Sequence, residues 1–168
     1  IEVSASNGFA EGRESVRVQF AGKTAGRGDV LPNLWMLSIG INRYDDKKLK
    51  SLDYAAADAE DIVKAFSRQK GRLFREVNSL IISDKSKIKP TFENIMDNLK
   101  YLKNAGQYDL VILFISGHGL NDDSGNYYFL PSNAVINEDG TIKESRAVSW
   151  LMIKSILELP ARKLILAD

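Results

Sequence analysis

His118 is the only histidine of the chain; it follows a strongly apolar run and lies between two glycines. The ordinary pKa of histidine suits proton transfer near neutral pH, which makes it the commonest general base in enzymes. Gly117 and Gly119 allow tight turns and leave backbone N–H groups beside the imidazole, which suits the stabilisation of an oxyanion. Residues 110–119 (LVILFISGHG) therefore predict a reacting histidine at the end of a buried strand. A structural histidine that only ends the strand is the alternative.

A histidine base needs a nucleophile or a metal ion, and the local candidates are few. Ser116 lies two residues before His118, but its surroundings lack the G-x-S-x-G pattern of serine hydrolases. His118 with Asp122 and Asp123 is a conceivable metal site, yet one histidine with two loop carboxylates is a common solvent-exposed combination. Neither G-x-x-x-x-G-K-[ST] nor G-x-G-x-x-G occurs, so nucleotide binding has no specific support.

The elements that must hold His118 alternate between strands and helices from Leu34 onwards. Apolar stripes at helical spacing predict three helices, the first with Asp53 as its N-cap and the second opened by Thr91. Strands joined by helical crossovers form parallel sheets, so we predict an α/β fold, a mostly parallel sheet flanked by helices on both faces. The predicted strands are 34–41, 80–82, 110–115 and 163–167, with a further hairpin at 127–130.

The amino-terminal region has a different pattern. Residues 1–20 show two alternating runs around a glycine-containing turn, typical of a β-hairpin, with Val16, Val18 and Phe20 on one face. Residues 21–29 (AGKTAGRGD) predict a linker. We therefore predict that residues 1–29 are the last strands of a preceding β domain plus a linker, and that residues 30–168 are the α/β domain. We expect the chain to be part of a longer protein.

The composition of the chain limits the classes of partner that we predict for it. The 168 residues include 23 Lys+Arg against 22 Asp+Glu, a formal net charge of +1, so no nucleic acid partner is predicted. No apolar stretch approaches the roughly 20 residues of a membrane helix, so no membrane partner is predicted either. The absence of cysteine excludes disulfides and thiolate metal sites within this segment but leaves the compartment unknown.

Four segments resemble, in order, the signature blocks of caspase-like cysteine peptidases, especially the bacterial caspase-like and metacaspase branch. The resemblance implies a caspase-like fold, of which this chain is the large-subunit portion, and the activity of a cysteine-type endopeptidase. The segments are LWMLSIGINRY (34–44), LDYAAADAEDIVKAF (52–66), DLVILFISGHG (109–119) and KLILAD (163–168).

In that family a strand ending in S-G-H-G provides the catalytic histidine, and a later strand ending in D-x-C provides the nucleophile. By this resemblance His118 activates a cysteine thiolate or protonates the leaving amine, and the backbone N–H of Gly119 helps to form the oxyanion hole. The caspase histidine precedes its cysteine by about 50 residues, and Asp168 lies 50 residues after His118. The resemblance thus implies a cysteine two places beyond Asp168 and an inactive chain without it. A catalytically dead interaction or regulatory module is the alternative.

Substrate choice is implied by charge. Metacaspase-type pockets bind Arg or Lys through carboxylates, whereas classical caspases bind aspartate through arginines. Asp58 and Asp168 match the acidic pocket residues of the metacaspase branch, with Ser116 alongside, so the resemblance implies cleavage after Arg or Lys. Asp58 is also explained as a first-turn helix acid that the helix dipole favours.

No cofactor and no metal site are predicted. Many metacaspases need calcium, but the acidic residues near His118 do not form a D-x-[DN]-x-[DN]-G loop, so calcium dependence has no support. The expected partners are a peptide or protein substrate and a second segment that carries the cysteine. The acidic residues concerned are Asp122, Asp123, Glu138 and Asp139.

Overall fold

The computed structural model describes residues 3–6, 11–14 and 31–168. The chain divides into two units, of which the larger comprises residues 31–167. In the other unit, β1 (Val3–Ser6) and β2 (Glu11–Glu14) pair as an antiparallel hairpin. The predicted positions Val16, Val18 and Phe20 lie outside the described residues. The assignment of residues 1–29 to a preceding β domain and linker stays a prediction.

The larger unit is built on a sheet of four parallel strands in the order β4-β3-β5-β9. The two central strands are buried along nearly their whole length, as expected for continuous apolar runs in a parallel sheet. Their register places Gly40 opposite Ser116, so β3 and β5 end side by side. The strands are β3 (Leu34–Gly40), β4 (Val77–Ser83), β5 (Leu110–Ser116) and β9 (Arg162–Ala167).

Helices cover both faces of this sheet. On β3, Met36 packs with α1 on one face, whereas Leu37 packs with α2 and α3 on the other, as strand alternation requires. The predicted α/β fold with a mostly parallel sheet and helices on both faces is confirmed. None of the helices in residues 31–168 is long and apolar enough to cross a membrane. The helices are α1 (Ala55–Ser67), α2 (Phe92–Leu99) and α3 (Trp150–Lys154), and α2 and α3 continue as 3-10 segments over Lys100–Asn104 and Ser155–Glu158.

A second, smaller sheet follows His118 directly. It consists of three antiparallel strands, β6 (Gly119–Asn121), β7 (Tyr127–Phe129) and β8 (Val148–Ser149). The sequence predicts a hairpin at 127–130, but these residues form the single strand β7, which pairs with β6 and β8. The sequence does not predict β6 or β8, because two or three residues are too few to show an alternating pattern. The small sheet fixes the chain on the carboxyl side of His118.

The start of α1 differs from the expectation that Asp53 is its N-cap. Tyr54 occupies the N-cap position and makes no side-chain cap hydrogen bond. Asn42 provides the cap instead, because its Oδ1 accepts a hydrogen bond from the Ala56 N–H at 2.7 Å. Its Nδ2 donates to the Asp53 carbonyl at 2.9 Å. A residue that follows β3 thus satisfies the helix, which ties α1 to the end of that strand.

Replacing Asn42 should test this long-range cap. Asn42→Ala leaves the Ala56 N–H without its acceptor, so we expect the free energy of unfolding to fall by about 1.5 kcal/mol in urea denaturation. Asn42→Asp keeps an acceptor oxygen and should lose less than the alanine variant. Equal stability of the alanine variant and the wild type would contradict the assignment.

Candidate active site

His118 lies between β5 and β6, at the carboxyl end of the central sheet, with a half-buried side chain. Its Nε2 is 2.8 Å from the carbonyl oxygen of Lys50. A carbonyl oxygen only accepts hydrogen bonds, so in this contact Nε2 carries the proton and the lone pair of the neutral imidazole lies on Nδ1. Nδ1 is therefore the atom that can take a proton from a nucleophile.

Tyr44 makes two further contacts with the same residue. The backbone N–H of His118 donates to Tyr44 Oη at 2.8 Å. The phenol and imidazole rings lie with their centroids 4.9 Å apart and their planes tilted by 32°. Burial raises the pKa of Tyr44 to about 12, although the hydrogen bond from the His118 backbone opposes that shift. The phenol is therefore neutral throughout the range in which histidine titrates.

The two glycines beside His118 are needed for close packing. A Cβ atom at Gly117 would lie 3.0 Å from Tyr44 Oη and 3.2 Å from Phe129 Cε2. A Cβ atom at Gly119 would collide with the Tyr127 ring. The sequence indicates glycines that expose N–H groups, and the aromatic rings that press against them are an additional reason for glycine at both positions.

The ladder between β6 and β7 determines the direction of the Gly119 N–H. Gly119 is opposite Phe129, and the Leu130 N–H donates to the His118 carbonyl at 2.9 Å. In an antiparallel ladder this pattern makes Gly119 and Phe129 a pair without mutual hydrogen bonds. The Gly119 N–H accordingly points away from β7 and is not used in that ladder. Its role as an oxyanion donor stays a prediction.

The other three predicted site residues lie on different elements. Ser116, the last residue of β5, is 3% exposed and by strand alternation faces α1, like Phe114. Asp58 is half-buried in the first turn of α1. The fold thus brings Ser116 and the start of α1 to the same face of the sheet. Asp168 is exposed and directly follows β9. Their roles in substrate binding stay predictions.

The loop between β3 and α1, residues 41–54, contains both Tyr44 and Lys50 and is called the support loop below. It is anchored on a second loop, because Asp46 Oδ2 accepts the Ile136 N–H at 2.9 Å and Lys48 Nζ donates to the carbonyl of Asn137 at 2.8 Å. The hydrogen bond from Ile136 lowers the pKa of Asp46. Residues 42–46 (NRYDD) are mostly polar, but nothing in the sequence distinguishes Tyr44 or the carbonyl of Lys50 as partners of the histidine.

An acidic cavity of about 500 Å³ is lined by β6 and the loops that follow. The side chain and backbone of Asn126 donate hydrogen bonds to Asp122, which lower the pKa of that carboxyl and organise the turn. Within residues 31–168 no group of three or more His, Asp or Glu side chains is placed to hold a metal ion. The acidic residues of the cavity are Asp122, Asp123, Asp139 and Glu144.

The α/β domain thus places a half-buried histidine at the exit of a central parallel strand, with its Nε2 against a backbone carbonyl. The sequence profile of the caspase domain family matches residues 34–159, more than half of the chain. The chain therefore belongs to the caspase domain family, a family of cysteine-type peptidases, and the resemblance recognised in the sequence is confirmed at that level. A comparison with curated proteins found no match.

Proposed function

We propose that this chain is the histidine-bearing part of a cysteine endopeptidase of the metacaspase branch, which cleaves after Arg or Lys. The observation that supports this most directly is the 2.8 Å contact between His118 Nε2 and the Lys50 carbonyl, because it leaves Nδ1 as the base. The nucleophile is a cysteine in a second segment, two places beyond Asp168. The chain without that cysteine is inactive.

Acylation, the first half of the reaction, needs two proton transfers through His118. Nδ1 takes the proton of the cysteine thiol, and the thiolate attacks the peptide carbonyl carbon, whose oxygen becomes negatively charged. The Gly119 N–H stabilises that oxyanion. Nδ1 then delivers the proton to the departing amine, which leaves a thioester that water hydrolyses in the second half of the reaction.

The proposed specificity depends on three residues near the carboxyl ends of the strands. Asp58 and Asp168 would share one guanidinium or ammonium group, an arrangement that charge-assisted hydrogen bonds make strong and geometrically selective. Ser116 is buried, so its hydroxyl can contribute only at the floor of such a pocket. An acidic pocket excludes aspartate at the scissile position, because two further carboxylates would repel it.

The second candidate is a catalytically dead interaction or regulatory module, in which another residue stands at the position of the cysteine. The two candidates differ at one position of the parent protein. A cysteine two places after Asp168 supports the peptidase, and any other residue there supports the interaction module.

Fluorogenic peptides that end in Arg, Lys or Asp test the specificity of the parent protein, extended through the proposed cysteine. We expect cleavage after Arg and Lys. Asp58→Asn should lower kcat/KM for the Arg peptide by about 30-fold, which corresponds to roughly 2 kcal/mol for one lost charge partner.

Asp61→Asn is the matched control for that variant. Asp61 lies on the same helix, is exposed and pairs with Lys64 at 2.8 Å, so the same charge is lost away from the sheet edge. We expect this control to cleave the Arg peptide as the wild type does. Preferential cleavage after Asp, or equal losses in the two variants, would refute the acidic pocket.

A further inference from the structure

We propose that Tyr44 is a positioning residue for His118, which acts through its phenol oxygen and its ring to hold the imidazole in the orientation that proton transfer needs. The catalytic part of this inference rests on the proposed function. Its structural content, an imidazole held in one orientation and one tautomer, can be tested without any peptidase activity.

The contacts of His118 with the support loop restrain it at three places. The phenol oxygen of Tyr44 accepts the backbone N–H of His118 at 2.8 Å, which holds the backbone at that residue. The Tyr44 ring lies against the imidazole, with 4.9 Å between centroids, and limits its rotation. The Lys50 carbonyl then receives Nε2 at 2.8 Å. The Nε2 contact alone holds only one point of the ring, so each Tyr44 contact adds a restraint on His118.

The surroundings of Tyr44 are built to receive its hydroxyl group. Gly117 leaves the space, because a Cβ atom there would lie only 3.0 Å from Tyr44 Oη. Burial raises the pKa of the phenol to about 12, so the group beside His118 carries no charge at neutral pH and orients the imidazole without adding an anion to the site. A phenylalanine would fill the same space but could not accept the His118 N–H.

Tyr44 and Lys50 belong to one loop that is anchored elsewhere. Asp46 and Lys48, which lie between them in the chain, bind the backbone of Ile136 and Asn137. The loop therefore presents both contacts from a fixed base. A small displacement of a reacting group costs about 10²-fold in rate, so an anchored loop of this kind has a direct effect on turnover.

Kinetics of the extended protein test the catalytic consequence. We expect Tyr44→Phe to lower kcat about tenfold and Tyr44→Leu about 100-fold, with KM within twofold of wild type in both, because neither contact touches the substrate. Tyr101→Phe is the matched control: Tyr101 is half-buried and packs edge-to-face against Trp35 near the amino end of β3, whereas His118 follows the carboxyl end of the parallel strand β5. It should leave kcat unchanged.

The orientation itself can be read from the nitrogen-15 resonances of the imidazole, since the 168-residue chain contains a single histidine. At a pH at which the imidazole is neutral, we expect two well-separated resonances in the wild type, the signature of the Nε2–H tautomer. In Tyr44→Leu the two resonances should move towards each other as the tautomers mix, and in Tyr44→Phe they should move in the same direction but less. Tyr101→Phe should give the wild-type spectrum.

These measurements distinguish a failure of the proposed peptidase function from a failure of the proposed role of Tyr44. If the extended protein cleaves no peptide, the proposed function fails, and the resonances alone decide the role of Tyr44. Wild-type resonances in both Tyr44 variants, or mixed tautomers in the wild type, would overturn the inference. A rise in KM with unchanged kcat would also overturn it, because Tyr44 would then bind substrate. If Tyr44→Leu does not fold, Tyr44→Phe decides the outcome.

Discussion

Replacement of His118 by alanine should lower peptide turnover of the extended protein by about 10³-fold or more. General acid–base catalysis contributes about 10² to 10⁴ in rate, and in the proposed mechanism one imidazole serves both the thiol and the leaving amine. The side chain is half-buried and lies at the exit of a strand, outside the central core. We therefore expect the thermal unfolding temperature to change little, and the loss to appear in kcat.

Arg75→Ala is the control for this experiment. Arg75 is exposed, and its guanidinium bonds to the side chain of Asn33, next to the amino end of β3 and thus at the opposite end of the sheet from His118. The Arg75→Ala variant should cleave peptides at the wild-type rate. Activity of His118→Ala within tenfold of wild type would show that the histidine is structural.

Replacement of Gly40 by alanine should lower the free energy of unfolding by about 3 kcal/mol or more, the upper range for overpacking of a core. A Cβ atom at Gly40 would collide with the carbonyl oxygen of Ala55 and lie 2.8 Å from Ala56 Cα. These are backbone atoms at the start of α1, so the strain cannot be relieved by turning a side chain. The helix would have to move away from β3.

Gly106→Ala provides the comparison for Gly40→Ala in the same denaturation experiment. A Cβ atom there meets only Asp109 Oδ2, at 3.6 Å, an ordinary contact. We expect the stability of this variant to be close to that of wild type. If Gly40→Ala were equally stable, the close approach of β3 and α1 would be wrong.

The elements with the longest regular patterns are those that the sequence predicts best. The predicted strand at 110–115 corresponds to β5 (Leu110–Ser116), and Thr91 caps α2 as predicted, by accepting a hydrogen bond from the Asn94 N–H. Both signals are local, since an apolar run and an N-cap threonine act within a few residues. Local chemistry therefore predicts the sheet and the position of His118 at its edge.

The partners of the predicted histidine depend on contacts between distant parts of the chain. Tyr44 and Lys50 meet His118 across 74 and 68 residues. In the Lys50 contact the acceptor is a backbone carbonyl, which carries no signal in the amino-acid sequence. The cap of α1 from Asn42 was missed for a related reason, because the N-cap rule considers neighbouring residues such as Asp53, whereas tertiary packing brought a more distant side chain to Ala56.

The pairing of β3 with β5 also determines when the imidazole becomes ordered. The register joins Leu34 to Leu110, so a long intervening segment must close before the two strands gain their hydrogen bonds. Folds dominated by such non-local pairs form slowly. Because the support loop follows β3 and His118 follows β5, a nascent or partly folded chain has no fixed imidazole. His118 therefore reaches its contacts with Tyr44 and Lys50 only after β3 and β5 have paired.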